Sequence, residues 1–214
     1  MSRRRAGVAG RSEFRRAVSD AEKSQRRQVI LAAAKQVFSS GDFHAATMAD
    51  IARAAGVSYG TLYWYFDSKD ELFDALMDEQ EAALRHSIDS ALKDESVTDV
   101  ESALQSSVRA VFDFFDADRE ASKLLFRDAT AISERFTRHL LTIFDRFLGD
   151  LEYAVSDAQR KGMVRDAPPR VVAYAAASLI GQLAYRRLST DDGLSSAEAA
   201  EFVVSLLLDG LRPR

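Results

Sequence analysis

An all-α fold in two parts is predicted by three observations. Apolar residues recur at helical spacing along most of the 214 residues, with no strand-like alternation of any length. The apolar runs are bounded by Ser, Thr or Asp at their starts and Gly at their ends, the punctuation of helices. Charge is also divided. Residues 1–69 carry 12 Lys/Arg against 6 Asp/Glu, whereas residues 70–214 carry 17 against 27, within a net charge of −4. Such asymmetry points to nucleic acid at the basic end. Together these readings predict an N-terminal helix-turn-helix domain followed by a larger helical body, about nine helices in all.

Residues 1–20 hold Arg3, Arg4, Arg5, Arg11, Arg15 and Arg16 among Gly, Ala and Ser, and read as a flexible basic arm. Such an arm serves solubility, or adds phosphate and minor-groove contacts. The first helix is expected over Glu22–Ser39, with Ile30, Ala34, Val37 and Phe38 on one stripe and Gly41 as its stop. Arg26 and Arg27 near its start are phosphate candidates.

Thr47–Phe66 reads as two short helices meeting at Gly56-Val57-Ser58. Thr47 with Asp50 approximates a capping box, and Gly56 falls where a positive φ ends a helix. Ser58 caps the second helix, whose inward residues are Leu62 and Phe66. Tyr59, Gly60, Thr61, Tyr63 and Tyr65 are left for the outer faces. Gly60 costs a helix about 1 kcal/mol against Ala, which makes sense where a phosphate must approach the backbone. The hydroxyls can donate to phosphate oxygens. Trp64 suits either packing between the first and fourth helices or DNA contact. Ser68 and Glu71 form a capping box for the next helix. Lys69 sits in that first turn, where the helix dipole disfavours a cation, and so reads as a phosphate contact.

The fourth helix is expected over residues 69–92, with Leu72, Phe73, Leu76, Leu84 and Ile88 inward. Glu95–Thr98 is a polar break. Helical patterns follow from Val100, over residues 120–131, over 133–161, from Pro169 to Leu188, and over 196–211. The expected domains are a basic arm at 1–20, a DNA-binding domain at 21–68 with its helix-turn-helix at 47–66, and an effector-binding and dimerisation domain at 69–214.

The segment from Arg27 to Met77 resembles the TetR family of bacterial repressors. The match rests on Ile30, Ala33, Ala34, Phe38, Gly41, Thr47, Ile51-Ala52, Ala55-Gly56-Val57-Ser58, Gly60-Thr61-Leu62-Tyr63, Tyr65-Phe66, Ser68-Lys69 and Leu72. The resemblance implies phosphate contacts from Thr47 and Lys69. It implies a recognition helix carrying Ser58, Tyr59, Gly60, Thr61, Tyr63 and Tyr65. Tyr59 departs from the family, many of whose members place Lys, Arg, Gln or Pro there. A Tyr cannot make the bidentate guanine contact of Arg or Lys, though it can touch a thymine methyl.

The resemblance also implies a ligand pocket in the body. Its apolar lining is expected from the Phe-rich stretch, including Phe112, Phe115, Phe126, Phe144 and Phe147. Arg109, Arg127, Thr130 and Gln182 are the candidate polar groups. An apolar or amphipathic effector is expected, with a fatty acid or acyl-CoA as the specific choice. Ala173, Ala177, Gly181 and Ala184 form a small-residue stripe that permits close helix approach. With Phe202, Val203 and Leu206 of the last helix it is expected to build a two-fold, four-helix dimer interface that presents two heads to a palindromic operator.

Other classes find little support. There is no cysteine, and His44, His86 and His139 stand apart without metal-ligand spacing. No Gly-rich phosphate loop is present. No enzyme activity, cofactor or metal is expected. No apolar run approaches the ~18 residues of a membrane span, and the N-terminus lacks the apolar core of a secretory signal. A cytoplasmic location is expected. The alternative left open is an orphan or architectural DNA-binding protein with a filled core and no effector.

Overall fold

Capping and apolar periodicity place eight helices among the described residues of the computed structural model, which are 6–40, 43–119, 122 and 134–211. They are α1 (Ala6–Ser40), α2 (Met48–Ala54), α3 (Tyr59–Tyr65), α4 (Lys69–Leu92), α5 (Val100–Ala117), α6 (Glu134–Arg160), α7 (Pro169–Ser189) and α8 (Ser196–Leu211). No strand occurs among the described residues. The short helix expected over 120–131, the stop at Gly41, and the candidates Phe126, Arg127 and Thr130 lie outside the described residues. The chain divides into two compact units, Met1–Leu76 and Met77–Arg214, and the continuous helix α4 runs through the division.

In the first unit α1 packs on α2 and α2 on α3, and Ile30, Leu31, Ala34 and Phe38 of α1 are buried, as are Ile51, Leu62, Leu72 and Leu76. The rings of Phe38, Phe43 and Phe73 stand 5.0–5.4 Å apart between centroids, in tilted and edge-on contacts suited to aromatic quadrupoles. α1 starts earlier than the Glu22 expected from the sequence. From Ala6 onward the basic arm is continuous with α1 instead of being a separate segment before Glu22. The stretch has no proline, and its Arg, Ala and Glu residues are good helix formers. Extending an established helix is far easier than nucleating one, so α1 propagates past the start expected at Glu22.

In the second unit α5 packs on α7 and α8, and α6 packs on α7. Val108, Phe112 and Phe115 of α5 meet Ala184 and Leu188 of α7 and Ala199, Ala200, Val203 and Val204 of α8. The alanines let the large rings of α5 sit close to the neighbouring backbones. Asp99 caps α5 through the Ser102 N–H at 2.8 Å, and that hydrogen bond lowers the Asp99 pKa. Gly162 closes α6 at φ +70°, and Pro169 opens α7 in the position where its missing N–H costs nothing. Charged groups join α4 to α6. Glu81 is buried and accepts from Arg85 at 3.1 Å and from Arg146, while Arg85 also donates to Asp150.

Candidate nucleic-acid interface

The helix-turn-helix is built by local capping. The Thr47 side chain accepts from the Asp50 N–H at 3.2 Å, and the Asp50 carboxylate accepts from the Thr47 N–H at 3.2 Å and its hydroxyl at 2.6 Å. Those bonds depress the Asp50 pKa, with the Thr47 hydroxyl the largest cause. Thr47 thus directs its hydroxyl proton and its N–H to the cap of α2. Gly56 follows at φ +62°, in the left-handed region that a glycine enters without penalty. Ser58 then accepts from the Thr61 N–H at 3.0 Å, and the Ser58 and Thr61 hydroxyls lie 2.7 Å apart.

With Leu62 and Phe66 buried, α3 turns an aromatic face outward. Tyr59 is 55% exposed and Trp64 65%, and Tyr63 is exposed beside them. The Tyr59 and Tyr63 rings are 4.7 Å apart and the Tyr59 hydroxyl donates to that of Tyr63 at 3.1 Å. Because the Tyr63 hydroxyl accepts in that pair, its own proton is left to offer an acceptor such as a phosphate oxygen. Thr61 and Tyr65 are half-buried. Trp64 meets Tyr65 edge-on at 4.7 Å and carries the Lys23 ammonium 5.7 Å above its ring. Of its two expected roles, burial between helices is excluded by its exposure.

Gly60 is exposed, and a Cβ placed there meets nothing within 4 Å. Nothing inside the protein therefore requires a glycine. Gly60→Ala is expected to raise the stability of this unit by about 0.5–1 kcal/mol. If DNA approaches the backbone at Gly60, the same variant loses DNA affinity. A urea midpoint paired with a binding titration reads both, and unchanged affinity removes Gly60 from the interface.

Lys69 has partners inside the protein. The expectation of a phosphate contact rested on a cation in a first turn, where the helix dipole disfavours it, and on the family resemblance. Its ammonium instead donates to the carbonyls of Phe43, His44 and Ala46 at 2.6, 3.2 and 3.0 Å, and lies 4.5 Å from the Phe43 ring centroid. Three carbonyls satisfy its three donors, so no external anion is needed to explain its place in the first turn. The cap of α4 also differs slightly. Ser68 accepts from the Glu71 N–H at 3.1 Å, but the Glu71 carboxylate reaches the N–H of Asp67, one residue before the expected partner.

On α1, Lys23, Arg26 and Arg27 are exposed, and the Arg27 guanidinium lies 5.2 Å from the Phe66 ring centroid. Lys23 escaped the sequence reading. Its position one turn before Arg27 was the available signal.

The family described as "Bacterial regulatory proteins, tetR family" matches residues 30–76, the helical core and helix-turn-helix just described. The nucleoid occlusion factor SlmA of Marinomonas sp. is 31% identical over 147 residues, covering 68% of this chain and 74% of that protein. The chain belongs to the TetR family. The HTH-type transcriptional activator FasR of Mycolicibacterium smegmatis is 37% identical over 106 residues, and the match spans about half of each protein, 50% and 48%. In fold, the chain is similar to the transcriptional regulator FadR of Bacillus subtilis in complex with stearoyl-CoA, with a TM-score of 0.73 at 18% identity, covering 86% of this chain and 98% of that one.

The body of this TetR-family protein distributes the candidate ligand residues unevenly. Phe112 and Phe115 are buried in the α5–α7–α8 core, with Phe112 only 1% exposed. Phe144 and Phe147 sit on α6, where Phe144 meets Tyr174 edge-on at 6.2 Å and Phe147 lies under the Arg85 guanidinium at 4.5 Å. Arg109 and Gln182 lie on solvated helix faces, and Arg109 pairs with Asp113 at 3.4 Å, one turn along α5. A long charged side chain gains water there that a buried position would deny it. The sequence reading passed over Arg187, which is buried, stacks 5.4 Å from the Phe112 centroid, and clasps Asp192 through two bonds at 2.8 and 2.6 Å.

The expected dimer residues divide in the same way. Ala173, Ala184 and Val203 are buried within the single chain. Their small or branched side chains are what α7 and α8 use to pack inside their own unit. Ala177 and Gly181 are half-buried. Phe202 is 64% exposed, and Leu206, Val171, Tyr174 and Tyr185 are exposed large apolar groups on the same two helices.

Proposed function

We propose that this chain is a dimeric, DNA-binding transcriptional regulator that releases a palindromic operator when its body takes up a small apolar or amphipathic effector. The observation that carries this reading is the outward face of α3. Tyr59, Tyr63 and Trp64 stand exposed beside an open Gly60, on a helix whose angle is set by capping at Thr47, Ser58 and Ser68. Large aromatic groups left in water on a short, well-capped helix call for a partner surface. A groove wall with thymine methyls and phosphates supplies one. A fatty acid or acyl-CoA is the proposed effector, supported by the FadR–stearoyl-CoA likeness, and a cytoplasmic location accords with a DNA partner.

Dimerisation is proposed through Phe202, Leu206, Val171, Tyr174 and Tyr185, which leave α7 and α8 with an uncovered apolar surface. Coupling would run along α4, which begins at the head and continues into the body. By linkage, an effector that lowers operator affinity must itself bind less tightly to the DNA complex. A gel shift on the DNA upstream of its own gene should give a specific, salt-sensitive complex that acyl-CoA dissolves. Absence of any specific complex overturns the reading. Phe202→Glu with Leu206→Glu should convert a dimer to a monomer in sedimentation; an unchanged mass would remove this surface from the interface.

A second reading, a DNA-binding protein without effector, is favoured by the burial of Phe112 and Phe115 in a core cluster. It predicts a complex that no acyl chain dissolves.

A further inference from the structure

The helix-turn-helix of this protein lacks the positive charge that DNA binding needs. Residues 28–69 carry three Lys/Arg, namely Lys35, Arg53 and Lys69, against the three acids Asp42, Asp50 and Asp67. Two of those cations are already engaged within the protein. Arg53 pairs with Asp50 at 3.1 Å, and Lys69 is held by three carbonyls. The whole positive excess of the first 69 residues therefore resides in residues 1–27, which hold nine Lys/Arg against three Asp/Glu. Most of the sequence-independent affinity of a DNA-binding protein comes from cations that neutralise phosphates.

The geometry continues that charge directly from the recognition helix. Lys23 lies over the ring of Trp64 on α3, and Arg27 over that of Phe66. Both are exposed on α1. The same helix extends without a break to Ala6. Arg11, Arg15 and Arg16 fall within that span of the sequence. From Lys23 back to Ala6 an α-helix covers about 25 Å at 1.5 Å per residue. That is the length of about seven base pairs of a duplex.

We infer that the N-terminal half of α1 is a second DNA-binding element, a basic helix that neutralises backbone phosphates beyond the groove entered by α3. This inference rests on the DNA-binding reading above. It assigns a division of labour within one head. The nearly neutral α2–α3 unit supplies shape and base contact through its aromatic face, and the extended α1 supplies the electrostatic attraction. Lys23, held against Trp64, joins the two.

The test is a titration of a 40-base-pair duplex of arbitrary sequence with the full-length protein, by fluorescence anisotropy at several salt concentrations. Non-specific binding isolates the electrostatic part, so the operator need not be known. Arg11, Arg15 and Arg16 are changed together to Gln, which keeps helix propensity and removes three charges. Each lost phosphate contact should lower the slope of log affinity against log salt by about 0.9, and the triple variant by about 2–3. Over 50–200 mM salt that is roughly a 40-fold smaller loss of affinity. The corresponding triple Lys variant should keep the original slope, since charge and not guanidinium geometry is at work. An unchanged slope in the Gln variant, with normal binding by the unaltered protein, overturns the proposal. So does an equal fall in slope for the Lys variant. Failure of the unaltered protein to bind DNA at all would instead overturn the DNA-binding reading itself.

Discussion

Replacing Lys69 with Met is expected to destabilise the N-terminal unit by about 2–3 kcal/mol, with DNA binding lost as the head unfolds. The ammonium makes three charge-assisted hydrogen bonds, to the carbonyls of Phe43, His44 and Ala46, across 23–26 residues of chain. Hydrogen bonds to a charged group contribute about 1.5–3 kcal/mol where they are buried. Here the site is only part-buried, so water recovers some of that after substitution. The cation over the Phe43 ring adds about 0.5–1 kcal/mol. Met preserves the apolar stem and its packing, so the loss measures the ammonium. The protein's single tryptophan, Trp64, lies in this unit, and its fluorescence follows the unit's own unfolding in urea. A role limited to phosphate contact gives the opposite pattern, with an unmoved midpoint and weaker DNA binding. That pattern would return Lys69 to the interface.

Phe112→Ala is expected to cost the body about 3–5 kcal/mol, the range for truncating a buried aromatic residue in a packed core. Phe112 is 1% exposed, lies among Ala184, Leu188, Val203 and Val204, and has the Arg187 guanidinium 5.4 Å from its ring centroid. Truncation leaves a cavity and strips the buried Arg187 of its aromatic neighbour. A residue lining an open ligand site behaves differently, because its removal enlarges a space that already exists. Then the midpoint of unfolding, followed by far-ultraviolet circular dichroism, moves by less than about 1 kcal/mol, and the binding of a fluorescent acyl-CoA changes instead. The two outcomes separate a structural Phe112 from an effector contact.

Much of the head was legible because its determinants are local. Thr47 and Asp50, Ser58 and Thr61, and Ser68 and Glu71 are three residues apart, and a capping signal contains both of its partners. Gly56 announces its positive φ by lacking a Cβ. The outward face of α3 follows from the inward pair Leu62 and Phe66, which are i and i+4 on one short helix. The start of α1 was less legible, since a start signal competes with a helix already propagating through it.

Lys69 could not be assigned from sequence, because its carbonyl partners are more than twenty residues away and carry no side-chain signature. Any residue type presents the same carbonyl. The stripe Ala173, Ala177, Gly181 and Ala184 identified a surface made for close packing, but not which helix would fill it. Within the chain, Ala173 and Ala184 are buried, and Phe202 and Leu206 are left uncovered. The sequence by itself determined the helices, their caps, the helix-turn-helix and the basic character of residues 1–27. Only the tertiary structure decided which cations already have partners and which apolar faces are covered. The first set depends on contacts within about one helical turn, the second on which distant segments meet, and periodicity does not encode that meeting.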